Sequence, residues 1–371
     1  QLDFLGASYY TEADTETAAV SMTFLNTHQD TVFPILKEIL TCPVFDQTQF
    51  EKEKKRVMME LEQAREVPAQ VIGDYYNKFI YGEQEYGNPV EGIRSTVEKI
   101  DTPDLKAFYQ AHYLPGESVL AVVGDFETPA MKQRIEQLFN EWQVTESKET
   151  PQERKPKAFP VFKKPRVLLV DKKDATETQF AIGGFGIQRS NPDFVAIQVI
   201  NTILGGRFTS WLNDELRVNA GLTYGARSVF RPYKNSGTFA IRSYTRTSTT
   251  TQAIDLALKV MDRLHRQGID EKTLLSAQNY IKGQFPPKYE TSDNLAELLT
   301  EMFFYRFDES FIDDFQKNVE AITVEEANRI IAKYFPKSNL QFVLIGKASD
   351  IRDKVKKYGE ITEKEITADG F

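Results

Sequence analysis

Glu53 and Glu60, seven residues apart, are the first residues in this chain whose type and spacing could do chemistry. They stand in the run FDQTQFEKEKKRVMMELEQAREVP, Phe45 to Pro68, which reads as one helix with Asp46 as its N-cap and Gln49 three residues on. Seven residues make about two helical turns, so both carboxylates project from nearly the same side. Phe50, Val57, Leu61 and Ala64 recur at helical spacing and form an apolar stripe that the glutamates border, while Lys52, Lys55 and Arg56 point the other way. Carboxylates beside a core-facing stripe are costly unless a metal, a histidine or an arginine pairs with them. The competing reading is two half-exposed glutamates on a charged helix, and the helix alone leaves both open.

Other reactive residues are sparse. His28, His112 and His265 are far apart, none sits in a ligand pair such as HxxxH, and they read as surface or helix-packing residues. Cys42 is the only cysteine, which excludes an internal disulfide and a cysteine-based metal cluster and leaves the compartment undecided. Gly205-Gly206 reads as a turn between helices, not a phosphate loop, because no Lys-Ser/Thr follows. A net charge of −8 argues against a nucleic-acid partner. No apolar run reaches the length of a membrane span. The 371 residues, 41% hydrophobic and 27% charged, suit two globular domains of about 180 residues each.

The elements that must position these residues follow in order. Gly6–Thr11 (GASYYT) and Thr17–Leu25 read as strands joined by an acidic turn, followed by a helix over 30–40 and then the carboxylate helix. Helices follow over 69–81, from Thr102-Pro103 with Thr102 as N-cap, and over 128–142; Ser118–Val123 (SVLAVV) reads as a buried strand. Residues 145–165, charged and punctuated by proline, read as a linker between a domain over 1–144 and a second over 166–371. In the second, strands are expected over 166–170, 179–185, 223–230, 237–245 and 340–345, and helices over 191–206 and 208–218.

The halves repeat. VEKIDT at 97–102 echoes VEAITV at 319–324, AHYLP at 111–115 echoes AKYFP at 332–336, and each leads to an apolar run ending at Gly124 or Gly346. The carboxylate helix has a counterpart at 269–286, where Ala277 stands opposite Glu53 and Gln284 opposite Glu60. The helix persists in the second copy without its acids, which favours a specific role for them in the first.

This arrangement resembles the pitrilysin/insulinase family of zinc metallopeptidases, the group that includes processing peptidases and bacterial peptidasomes, over almost the whole chain. Glu60 matches the family's glutamate zinc ligand and Glu53 the acid seven positions before it. Ser8, Tyr9, Tyr10 and Thr11 look like the family's edge strand, which pairs with substrate backbone. Arg217 and Tyr224, in Leu216-Arg217 and Gly221-Leu222-Thr223-Tyr224-Gly225, resemble its arginine/tyrosine pair, also seven residues apart. The family's HxxEH motif does not occur in these residues, and by the family's order it is expected upstream of Gln1.

The resemblance implies an α+β fold of two homologous domains, each a mixed, largely antiparallel sheet covered on one face by helices. It implies Zn2+ as cofactor, peptide as substrate, and a homodimer or a heterodimer with a related subunit. The implied function is a zinc-dependent endopeptidase acting on peptides or unfolded segments inside a clamshell chamber. Its alternative is a non-catalytic Arg/Tyr-type subunit that completes the site of a zinc-bearing partner, and a third is a purely structural subunit. In the first case Glu60 is a metal ligand, Glu53 orients a ligand histidine, and Arg217 and Tyr224 are catalytic donors to a carbonyl oxygen or oxyanion. Without the resemblance, Arg217 reads as paired with Glu215 or Asp214, and Tyr224 as the start of a strand.

Overall fold

The computed structural model describes residues 1–142 and 158–371. It divides into two compact units, one of Gln1–Met59, Arg94–Pro156 and Pro287–Phe307, the other of Glu60–Ile93, Lys157–Pro286 and Asp308–Phe371. Packing thus cuts the chain differently from the sequence boundary, and 145–157 of the expected linker lie outside the described residues.

In the first unit, strands β1 (Ser8–Ala13) and β2 (Ala18–Thr23) form an antiparallel hairpin with Ser8 opposite Thr23. The acidic turn has a specific job: the Asp14 carboxylate accepts from the backbone N–H groups of Glu16 and Thr17, both at 2.6 Å. Helix α1 (Gln29–Thr41) buries Val32, Phe33 and Leu36, and the last two pack with Met131 from the helix Thr128–Phe139 and with Val20 and Met22 of β2. Residues 118–123 are not a strand. Val119 and Leu120 remain 40% and 42% exposed, and no described strand pairs with them, so the expected backbone ladder has no partner here. The helix Thr102–His112 forms as expected but its cap is Asp101, not Thr102: Asp101 accepts from Asp104 N–H and Asp104 returns the bond, a reciprocal capping box.

The second unit is built on a six-stranded mixed sheet in the order β5-β6-β4-β7-β3-β8. Its strands are β3 (Arg166–Asp171), β4 (Glu177–Phe185), β5 (Ala226–Pro232), β6 (Gly237–Arg246), β7 (Gln341–Gly346) and β8 (Glu360–Glu365). β3 runs parallel to β7 and β8, and the other pairings are antiparallel. The central strands are apolar on both sides, and period-2 alternation sends Val167, Leu169, Phe342 and Leu344 into one core and Leu168, Val170, Val343 and Ile345 into another. Helices Phe194–Asn201, Thr250–Gln267 and Val324–Tyr334 cover the first face. Helix α3 (Pro68–Tyr81) covers part of the second, so this sheet is covered on both faces rather than one. Tyr76 of α3 is fully buried and donates to the Phe239 carbonyl at 2.5 Å. Gly183 permits this approach, since a Cβ there would lie 1.9 Å from that same carbonyl oxygen and 2.7 Å from the Tyr76 hydroxyl.

The carboxylate helix, α2, runs from Gln47 to Ala64, with Asp46 accepting from Gln49 N–H at 2.9 Å. Its counterpart Glu271–Lys288 is also 18 residues long, and there Asp270 accepts from Thr273 N–H at 2.7 Å. The repeat read from sequence therefore extends to the caps.

Candidate functional site

The arginine and tyrosine singled out by sequence share one connection between core and sheet. Residues 208–218 do not form the single regular helix expected from sequence. A short turn at Trp211–Asn213 widens over Asp214–Asn219, where Ala220 N–H reaches back five residues to Glu215. Leu212 and Leu216 are buried and anchor it. The chain then reverses at Gly221, whose φ of +61° lies in the left-handed region that glycine adopts without a Cβ clash. Leu222 N–H returns to Leu216 C=O at 2.8 Å.

Tyr224 sits just beyond this reversal, and the residues around it are gripped from β6. The Thr245 hydroxyl donates to Leu222 C=O at 2.8 Å and the Ser243 hydroxyl to Gly225 C=O at 2.8 Å. Leu222 and Thr223 are buried, whereas Tyr224 is 81% exposed. Its hydroxyl has no partner among the described residues, so a fixed backbone displays a free phenol. Arg217 is half-buried, with its guanidinium 4.5 Å from the ring centroid of the exposed Phe208. Glu215 pairs instead with Arg263, at 3.7 Å. Arg217 is thus not spent on the neighbouring acid, and its five donors remain available. Phe208, which supports it, was not singled out in the sequence; an aromatic nine positions before an arginine carries no signal until the wide turn folds it back.

The two carboxylates lie on α2. Phe50, Val57, Leu61 and Ala64 are half-buried as a stripe, while Glu53 and Glu60 are both exposed. Arg56 does not point away: its Nε donates to Glu53 at 2.7 Å, an i,i+3 pair on the solvent side. In the second copy, Ala277 is buried where Glu53 is exposed, and Gln284 is exposed like Glu60.

Ser8, Tyr9, Tyr10 and Thr11 form the first part of β1, and all four are exposed. Tyr9 and Tyr10 are 60% and 63% exposed and alternate across the strand. β1 pairs only with β2 among the described residues, so its other edge presents unpaired backbone donors and acceptors.

Among the described residues there is no group of three or more His, Cys, Asp or Glu able to hold a metal. The histidines explain part of this. His112 packs against Phe108 with ring centroids 4.5 Å apart and the rings tilted, and burial holds the ionisation of His265 below the usual imidazole range. A zinc site takes about three protein ligands besides water, so Glu60 and its described surroundings do not by themselves fit zinc. Among the described residues no helix is long and apolar enough to cross a membrane.

The fold defines an α+β chain of two units with a mixed sheet in the second. The chain belongs to the M16, or insulinase, peptidase family: residues 1–93 match the model described as insulinase (peptidase family M16), and residues 99–281 the model described as the peptidase M16 inactive domain. It is 22% identical over 311 residues to an uncharacterised zinc protease, YmxG, of Bacillus subtilis, covering 84% of this chain and 74% of the relative. It is 23% identical over 339 residues to a Helicobacter pylori protein named a non-peptidase homolog, covering 90% and 76%. In fold it is similar to the peptidase M16 inactive domain from Pseudomonas fluorescens, with TM-score 0.84, 24% identity, and coverage of 93% of this chain and 82% of the other. A protease from Helicobacter pylori gives TM-score 0.82 at 18% identity, with coverage of 93% and 83%.

Proposed function

We propose that this chain takes part in the hydrolysis of extended peptide segments, presenting Arg217 and Tyr224 to the carbonyl of the bond to be cut; the edge of β1 is, taken by itself, a second place where an extended segment can add. The observation that supports this most is Tyr224, fully displayed on a loop whose two flanking carbonyls are fixed by Thr245 and Ser243. A preset donor loses little orientational freedom when it engages a carbonyl oxygen. Its bond strengthens as negative charge builds there in the transition state. Arg217 supplies a second, permanently charged donor group resting on the Phe208 ring, 4.5 Å from its centroid.

In this reading the chain is the Arg/Tyr-bearing member of a dimer with a related, zinc-bearing subunit. The described residues do not make a zinc centre by themselves. A second reading, zinc endopeptidase in its own right, is favoured by one observation: Glu60 faces solvent on α2 at the position of the family's ligand, with Glu53 two turns before it.

An internally quenched peptide, incubated with the chain alone and with an equimolar zinc-loaded chain of the same family, separates the two. Cleavage only in the mixture, lost in Tyr224→Phe, is the expected result. Zinc-dependent cleavage by the chain alone establishes the second reading. No cleavage in either case, together with no peptide binding, overturns both.

A further inference from the structure

β5 begins two residues after Tyr224, and its outer edge is bonded by side chains rather than by another described strand. The Asn201 amide donates to Ser228 C=O at 3.0 Å, and its oxygen accepts from the Ser228 hydroxyl at 2.6 Å. Two residues nearer Tyr224, the Asn213 side-chain oxygen accepts from Ala226 N–H at 3.4 Å. Asn213 also reaches the other way, where its Nδ2 donates to Phe208 C=O at 2.6 Å. The residue is 4% exposed. With both ends engaged its orientation is set, because a flipped amide would place N–H against N–H and oxygen against oxygen.

These two bonds join the halves of the Arg/Tyr site. Phe208 carries the ring on which the Arg217 guanidinium rests, 4.5 Å from its centroid. Ala226 opens the strand that follows Tyr224, and Thr245 and Ser243 of β6 hold the intervening loop. The covalent path from Phe208 to Tyr224 is long: it passes through the wide turn over Asp214–Asn219 and the reversal at Gly221. Asn213 spans the same gap with one side chain and two hydrogen bonds. Without it, a carbonyl and an N–H lose their partners together, and each can regain one only if its backbone moves.

We propose that Asn213 is a positioning residue for the Arg217/Tyr224 pair: by tying the backbone of Phe208 to the start of β5, it holds the guanidinium and the phenol at the spacing from which both reach one carbonyl oxygen. This rests on the reading of that pair as donors in peptide hydrolysis. Asn213 is buried and does not itself touch substrate. Two donors on one oxygen tolerate little error, since hydrogen bonds weaken steeply with distance and angle. A misplacement of about 1 Å costs on the order of 10²-fold in rate. The two groups that Asn213 faces are one acceptor and one donor, a pair that an amide satisfies and an aliphatic side chain of the same volume does not.

The test is kcat and KM for a quenched peptide, in whichever preparation cleaves, for the wild type, N213A, Y224F and N213A/Y224F, with a urea melt of each. N213A lowers kcat by about 10- to 100-fold and changes KM by less than about twofold. In the Y224F background the same substitution costs at least about fivefold less, because one of the two donors it aligns is gone. An equal loss in both backgrounds overturns the proposal and makes Asn213 structural only. Unchanged kcat in a folded N213A, with Y224F still impaired, overturns the proposal and leaves the donor reading standing. Unchanged kcat in Y224F, or no cleavage by the wild type in any preparation, overturns the donor reading and this proposal with it. If N213A does not fold, Phe208→Ala carries the test: its ring is 68% exposed, so the chain folds without it, and kcat falls about tenfold with KM held. Unchanged kcat in that variant overturns the proposal, because the tie then has nothing to position at Phe208.

Discussion

Replacing Tyr224 by phenylalanine removes one oxygen atom from a side chain that is 81% exposed and makes no hydrogen bond among the described residues. The folded chain therefore loses no internal bond, and the stability change falls within about 0.5 kcal/mol. If the phenol donates to the developing oxyanion, its loss lowers kcat by about 10² to 10³, equivalent to roughly 2.7–4 kcal/mol of transition-state stabilisation. KM changes little, because the bond matters most in the transition state. The assay is hydrolysis of a quenched peptide, in whichever preparation cleaves, alongside a urea melt. Thr245→Val supplies a contrast. It deletes a 2.8 Å bond from a buried hydroxyl to Leu222 C=O, costs about 0.5–1.5 kcal/mol of stability, and lowers kcat only by loosening the loop. Unchanged kcat in Tyr224→Phe would refute the donor role. A large loss of stability in Tyr224→Phe would show that the hydroxyl is structural after all.

Tyr9→Pro removes a backbone donor from the edge of β1 and weakens peptide binding while leaving the fold intact by circular dichroism; equal affinity would place substrate elsewhere. After desalting, the chain carries well below one equivalent of zinc by metal analysis, because the described residues offer no three-ligand group, and Glu60→Gln removes what remains; one full equivalent would place further ligands beside Glu60. Asp74 of α3 gives a pH signature. Its carboxyl is pushed up to about 6, first by burial and then by Glu91, so folding favours the protonated form; its destabilising effect is complete above pH 6 and is relieved as pH falls from 6 towards 4. Urea melts at pH 7.5 and pH 5 should differ by on the order of 1 kcal/mol in this direction, and the difference should shrink in Asp74→Asn; an equal difference in the variant would assign it to other groups.

Much of the second unit is legible in the sequence because its strands are continuous apolar runs, and a run such as Val167 to Val170 can satisfy both periods of a sheet only when both faces are buried. The repeat is legible because caps are local. Asp46 and Asp270 each hold a backbone N–H three residues ahead, so chain chemistry within one turn fixes where those helices begin. The same locality misled at Thr102, where threonine-proline suggested the cap but Asp101 and Asp104 satisfy each other across the first turn.

What the sequence by itself determined is the family, the α+β class, the repeated helices with their Asp caps, and the seven-residue spacings of Glu53 with Glu60 and Arg217 with Tyr224. Each depends on residue order or on contacts within a turn or two. The tertiary structure decided which groups are free to act. Ser118–Val123 has strand composition but no described strand to bond, so it stays irregular. Arg217 has two acids as near neighbours in sequence, yet one of them, Glu215, turns to Arg263 and the guanidinium rests on Phe208. Asn213 meets Phe208 and Ala226 at once only because the segment before the wide turn folds against the start of β5. Such pairings depend on distant segments competing for the same partner, and the free energy that settles the competition comes from the packed core rather than from any local stretch of chain.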